Sequence, residues 1–291
     1  MEGWFILSLS VAMFWGLSGI FAKYSTGRLG VARVALIIAV VEGVFYSIAY
    51  LVWRDTSIHI GLWDAVLAAS SCIIGISGYL CYFESILEGQ VAIVGAISAA
   101  YPVLVVVGAM LLLAEGLTTI QIFGVVAIIG GVVALSYEPN PGAVNSLSRR
   151  SLVFALLAFF AWGVWSLTSK VAVEAVSAGN LFGFYVISSL TAPVLYAWVR
   201  RVRPAHFKGE DPTRLAWMMG AVALMLNVIG AFAYTYALEG GNASLVVPVT
   251  SAYPIVTAIL AVMLLKERVT WPQAAALLVV VAGLVMIGFT V

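Results

Sequence analysis

Ten runs of about twenty mostly apolar residues follow one another along this chain, each long enough to cross roughly 30 Å of hydrocarbon as a helix. They lie near 3–24, 30–53, 63–87, 91–113, 118–136, 151–176, 180–201, 214–238, 243–265 and 270–290. Turn-forming and polar residues separate them, as in Thr26-Gly27, Asp55-Thr56-Ser57, Glu88-Gly89-Gln90 and Gly240-Gly241-Asn242. Strands do not solve the problem that lipid poses, because an open sheet edge leaves backbone groups unpaired. Barrel strands would also alternate polar and apolar residues, and these runs do not. The expected fold is an all-α integral membrane protein with ten transmembrane helices.

Charge agrees. Of 291 residues, 63% are hydrophobic and 9% charged, whereas a soluble domain carries about 25% charged residues. So few charges cannot cover a water-facing surface, and the bilayer is the expected partner. A net charge of +1 argues against nucleic acid. Cys72 and Cys81 share one apolar run and have no metal-ligand spacing. Met1-Glu2-Gly3-Trp4 lacks the basic start of a cleaved signal, so the first run is expected to remain as a helix of a multi-pass protein in the cell (inner) membrane.

The chain also repeats itself. Trp15-Gly16 and Lys23 in the first run match Trp162-Gly163 and Lys170 in the sixth. At a second offset, Gly78, Tyr82, Gly89, Tyr101-Pro102, Glu115, Thr118, Gln121 and Gly131 meet Gly230, Tyr234, Gly241, Tyr253-Pro254, Glu267, Thr270, Gln273 and Gly283. Biased composition aligns apolar residues by chance, but it does not align Tyr-Pro, Glu, Thr and Gln in register across a loop. The polar stretch 138–150 separates a first half, 1–137, from a second, 151–291. Five runs per half is an odd number, so the second half enters the membrane inverted. Of the fourteen Lys and Arg, only Arg54 and Lys170 fall with the even-numbered loops. Basic residues stay cytoplasmic, which predicts both termini outside and the loop at 201–214 in the cytoplasm. Inverted repeats are the build of many secondary transporters, with a site at the midplane.

The motif W-G-x6-K at Trp15 and Trp162, with the runs from Ser98 to Gly124 and from Ser251 to Gln273, resembles the EamA-like family of the drug/metabolite transporter superfamily. The resemblance covers one repeat at about 5–136 and another at about 152–288. It implies ten helices, alternating access, and movement of amino acids or related metabolites, often outward. The family's Arg early in the second helix is matched by Arg33; the second half has no Arg in the corresponding stretch.

Glu42 is the first candidate for chemistry. It lies about twelve residues, or roughly 18 Å, from the start of its run. A carboxylate at that depth faces a bundle interior or a watery cavity. It is suited to exchanging protons or to binding a cationic group, and its bland alternative is a hydrogen-bonded lock between helices. Trp15, Trp162, Tyr82, Tyr101, Tyr234 and Tyr253 are paired by the repeat and, with Asn227, are candidates to line a central cavity for apolar, aromatic or cationic solutes. Ordinary aromatic packing explains them equally well, and Trp165 is close by. Pro102 and Pro254 are read as paired kinks and possible gates. Trp4, Trp53, Trp63, Trp198, Trp217 and Trp271 are read as an interfacial belt, Glu84 as interfacial, Lys170 as snorkelling, Lys23 as either snorkelling or functional, and Glu115 and Glu267 as structural or gating residues. Ala127 and Gly131 form a small-residue packing pair, within or between subunits, and a monomer or homodimer is expected.

No G-x4-G-K-[ST], H-E-x-x-H or G-x-S-x-G motif is present, and the two His, His59 and His206, lie in or near loops. No cofactor and no metal are expected, nor an enzyme. The expectation is a secondary transporter for small organic metabolites, with a proton-coupled drug or cation exporter as the alternative and a channel or membrane lipid enzyme behind both.

Overall fold

A computed structural model describes residues 2–88, 97–136, 148–199, 213–265 and 270–291. Residues 138–147 of the expected linker, most of the expected cytoplasmic loop (201–212), Gly89 and Glu267 lie outside the described residues, as does the side chain of Lys23. The described residues form helices and no strand. These are α1 (Gly3–Leu29), α2 (Val31–Trp53), α3 (Leu62–Glu88), α4 (Tyr101–Leu112), α5 (Thr119–Ser136), α6 (Arg149–Val176), α7 (Ala178–Val199), α8 (Arg214–Gly240), α9 (Ala243–Thr250), α10 (Tyr253–Leu265) and α11 (Trp271–Gly288). Eight apolar stretches among the described residues are long enough to cross a membrane, one of them running from α9 into α10. Large apolar side chains such as Val40, Leu51, Leu62, Leu111 and Val194 are exposed around the outside. A surface of that kind suits lipid and not water, and the chain is a multi-pass membrane protein.

The helix ends follow from local chemistry. Ser148 and Thr213 cap α6 and α8 by accepting the amides of Ser151 and Ala216. Thr118 with Gln121, and Thr270 with Gln273, form capping boxes at the starts of α5 and α11. That is the physical reason for the matched Thr and Gln in the sequence. Single residues separate α1 from α2 and α6 from α7, and both have the same left-handed-side backbone, φ 73 at Gly30 and φ 72 at Ser177.

The prolines correct one expectation. Pro102 and Pro254 do not kink continuous helices. Each is the second residue of a new helix, α4 or α10, after a tight turn. The turns match: Ala100 N donates to Ile97 O and Val103 N to Ala100 O, as Ala252 N does to Val249 O and Ile255 N to Ala252 O. In a first turn no intrahelical bond to the proline nitrogen is due, so proline is tolerated there.

Packing is dominated by antiparallel pairs. α1 lies along α8, with Trp4 on Gly241 and Trp15 on Gly230. α6 lies along α3, with Trp162 on Gly78 and Trp165 on Gly75. α2 runs antiparallel to α7, bringing Gly43 to Leu190 and Trp53 to Gly179. α5 runs antiparallel to α11, with Gly124 near Ile287 and Gly131 near Val280. Gly131 thus packs within the chain. Small residues allow such close backbone approach.

Both chain ends lie at one end of the bundle, where Phe5 meets Gly288 and Gln121 Nε2 donates to Thr290 Oγ1. Polar contacts tie that end across elements. Glu115 accepts from the amides of Ala243 (2.9 Å) and Ser244 (2.8 Å) at the start of α9. Glu239 accepts from Ala178 N, and Asn180 exchanges hydrogen bonds with the backbone of Asp55. Lys170 does not snorkel. It is buried, donates to Leu238 O at 2.7 Å and pairs with Glu174 at 2.8 Å. A terminal helix carbonyl is a strong acceptor for an ammonium, so the end of α8 draws it inward. At the opposite end Glu84 is also buried, taking Tyr196 Oη at 2.8 Å and Arg150 at 3.3 Å. Trp4, in the first turn of α1, is buried because Gly241 has no Cβ to keep its ring away.

Candidate functional site

A cavity of about 120 Å³ lies between α1, α2, α3, α6, α7 and α8. On the scale at which one buried water needs ~10–15 Å³, it has room for a solute of roughly ten non-hydrogen atoms. Glu42 lines it, as the twelfth residue of the 23-residue α2 and so at mid-depth. Among the described residues, no hydrogen bond or ion pair to the Glu42 carboxylate is found, and no Lys, Arg or His lines the wall. Arg33, nine residues earlier, donates to Leu29 O at 3.3 Å.

Aromatic side chains form much of the remaining wall. Tyr46, one turn beyond Glu42, stacks on Tyr185 with centroids 5.0 Å apart and planes 17° apart. Trp165 donates its indole N–H to Tyr185 Oη at 3.0 Å and stacks on Tyr234 at 5.1 Å. Asn227 joins two other walls: its Nδ2 donates to Tyr79 Oη at 3.1 Å, and its backbone carbonyl accepts the Trp15 indole N–H at 3.2 Å. Each buried indole and phenol has an apolar body and one polar handle, so these bonds fix ring orientation at the wall. From this centre the cavity extends toward Ser25, Val34 and Gly220, away from the end that holds both termini.

Of the residues singled out in the sequence, Trp15, Glu42 and Asn227 line the cavity. Trp162, Tyr82 and Tyr101 form an aromatic cluster beside it, with Trp162–Tyr82 at 5.6 Å and 38° and Trp162–Tyr101 at 6.0 Å and 66°. Tyr234 and Tyr253 form the corresponding cluster around Trp15, at 5.4 Å and 39° and at 6.3 Å and 81°. Neither of these tyrosines is on the cavity wall. Pro102 and Pro254 open helices away from it.

Sequence reasoning missed Tyr46, Cys72, Tyr79, Tyr185 and Ser188 on the wall. One signal was present. Ile38, Glu42 and Tyr46 fall at four-residue steps and so share a face of α2, and all three line the cavity. The residues on α3 and α7 had no such marker, because only packing brings them to Glu42.

The model of the EamA-like transporter family matches this chain twice, at residues 3–137 and 149–289. A protein of Archaeoglobus fulgidus described as an uncharacterized transporter is 26% identical over 298 residues, covering 97% of this chain and 96% of its own length. An uncharacterized protein of Methanocaldococcus jannaschii is 35% identical over 140 residues, which is 97% of its own length but 48% of this chain. A solved crystal structure superposes with a TM-score of 0.77 at 18% identity, covering 99% of this chain and 96% of that one, and so shares the fold. With the family matched over nearly its whole length, this multi-pass membrane protein belongs to the EamA-like transporter family of the drug/metabolite transporter superfamily.

Proposed function

We propose that this protein is a secondary transporter for small organic metabolites, working by alternating access around the Glu42 cavity. In this reading it consists of two inverted five-segment halves, 1–137 and 151–291, with both termini outside, and export is the direction that family resemblance favours. The carrying observation is the wall of the cavity. Residues related by the two repeat offsets sit on it together: Ser18 with Trp165, Ile38 with Tyr185, Cys72 with Leu224, Gly75 with Asn227, and Tyr79 with Ala231. A hollow lined by both members of so many pairs straddles the axis relating the halves. The antiparallel course of α2 along α7 and of α5 along α11 supports the inversion, since each helix there faces its own counterpart. A relative whose length is about half of this chain fits a half-length ancestral unit.

Among the remaining wall residues, Ala22, Ser25, Val34 and Gly220 extend the hollow toward one end. A hollow displaced toward one side is what one state of an alternating carrier requires, and a mirror-related state would displace it to the other. The counterparts Trp15 and Trp162, each seated on a glycine, are the pivots in this reading.

Counterflow in proteoliposomes tests it. Unlabelled solute inside is expected to accelerate uptake of labelled solute from outside. Equal uptake with and without internal solute indicates a channel and sinks the carrier reading. In the proton-coupled form of the proposal, Glu42 exchanges the proton, and Glu42→Gln removes the pH dependence of exchange. A pH dependence that survives the substitution rules Glu42 out of coupling. Labelling of a cysteine placed in 201–214 from outside would overturn the orientation.

A further inference from the structure

We infer that the cavity selects a small organic monocation, an amine of roughly ten non-hydrogen atoms, held by the Glu42 carboxylate against the surrounding aromatic rings. This names the substrate class of the same site and rests on the transport reading only for passage, not for binding.

The first argument is charge. Glu42 is half-buried at mid-depth, and no described side chain is paired with it. An uncompensated carboxylate in such a place is costly, and a cationic ligand offsets that cost. The wall carries one carboxylate and no described Lys, Arg or His, so one positive charge closes the balance. A dication would leave a charge over. An amino acid would bring a carboxylate of its own beside Glu42, with no wall cation to receive it, and like charges at close range are disfavoured.

The second argument is the wall itself. Trp15, Tyr46, Tyr79, Trp165 and Tyr185 surround the hollow. Aromatic faces attract ammonium groups, most strongly where water is excluded. The stacked Tyr46–Tyr185 pair and the Trp165 ring held by its hydrogen bond to Tyr185 are preorganised for this. Neutral solutes gain the apolar contact but leave the carboxylate without a partner.

The test uses the full-length protein in detergent and three probes of similar shape: 2-phenylethylamine, its neutral counterpart 2-phenylethanol, and the zwitterion phenylalanine. Binding is read by calorimetry and by quenching of tryptophan emission. The amine is expected to bind at least about tenfold more tightly than either of the others, the effect of ~1.4 kcal/mol. Glu42→Gln is expected to reduce that preference to near unity while leaving 2-phenylethanol unchanged. The comparison of probes on the wild-type chain needs no variant, so a Glu42→Gln protein that fails to fold does not remove the test. Equal binding of the three probes, or tighter binding of phenylalanine, overturns the inference. Counterflow separates the two readings. Glu42-dependent binding of the amine without trans-stimulation sinks the carrier and leaves the cation site, whereas Glu42-independent counterflow of an amino acid does the reverse.

Discussion

The two stretches that match the family differ least where they build the bundle and most where they face the cavity. Trp15 rests on Gly230 beside Tyr234 and Tyr253, and Trp162 rests on Gly78 beside Tyr82 and Tyr101, with ring distances alike to within a few tenths of an ångström. The connections at Gly30 and Ser177 share one backbone conformation. At the cavity the likeness ends. The offset that carries Trp15 to Trp162 carries Glu42 to Ser189, whose hydroxyl donates back to Tyr185 O within its own helix. Asn227 has Gly75 as its counterpart, and Tyr79 has Ala231. Shared residues supply packing, which must work in both stretches. Unshared residues supply the single charge and the unequal walls of the hollow.

Substitutions can break or sharpen this contrast, and the largest effect is expected at Gly179. A methyl group there would meet the carbonyl of Trp53, a backbone atom that cannot turn away, whereas the matched position already carries Ala32. Gly179→Ala is expected to destabilise the protein by about 3 kcal/mol, the upper range for overpacking, read as a lowered melting temperature in detergent. A wild-type melting curve would show that α2 and α7 are not so closely apposed.

Gly78→Ala and Gly230→Ala come next. An added Cβ would approach the indole of Trp162 or Trp15 to 2.5 and 2.6 Å. Each is expected to cost about 2 kcal/mol, as inserted methyl groups do in packed cores. The sharper expectation is that the two costs agree to within ~0.5 kcal/mol, the scatter usual for independent sites. A large inequality in thermal melts would break the equivalence of the two seats.

Moving the charge gives a third test. In a Glu42→Gln background, Ser189→Glu restores a carboxylate at the counterpart position, but Ser189 does not line the hollow. No recovery of amine binding is expected, with a further loss of ~1–3 kcal/mol for burying an unpaired polar group. Recovery would mean that the two stretches are interchangeable at the site as well as in the frame.

The smallest effect is expected at the paired connections. Ser177 holds φ 72 and ψ 160, a region that favours glycine, where Gly30 already stands. Ser177→Gly is expected to stabilise by ~1 kcal/mol and Gly30→Ala to destabilise by at least as much. Opposite signs in denaturation of the two variants would support a shared backbone geometry, and equal signs would count against it.

Much of the frame was legible because each part has a local cause. Apolar length marks a span, Thr-x-x-Gln marks a helix start, and paired Trp and Tyr mark repeated packing. Pro102 and Pro254 were visible as paired interruptions. Whether they kink a helix or open one depends on where the preceding turn closes, at Ala100 and at Ser251–Ala252, and no single residue announces that. Lys170 misled for a related reason. Its place near a helix end suggested contact with headgroups, but its partner, Leu238 O, belongs to a distant stretch of chain.

The sequence by itself determined that the chain crosses a membrane many times, which family it resembles, and that one carboxylate, Glu42, stands at mid-depth. These follow from solvation, since hydrocarbon accepts long apolar helices and penalises a buried charge wherever it lies in the chain. Only the tertiary structure decided which rings surround that charge. Tyr46 could be read from its place one turn along α2, but Tyr79, Trp165 and Tyr185 reach the hollow because α3, α6 and α7 cross there. Crossing is fixed by contacts between residues far apart in sequence, and no local pattern encodes it.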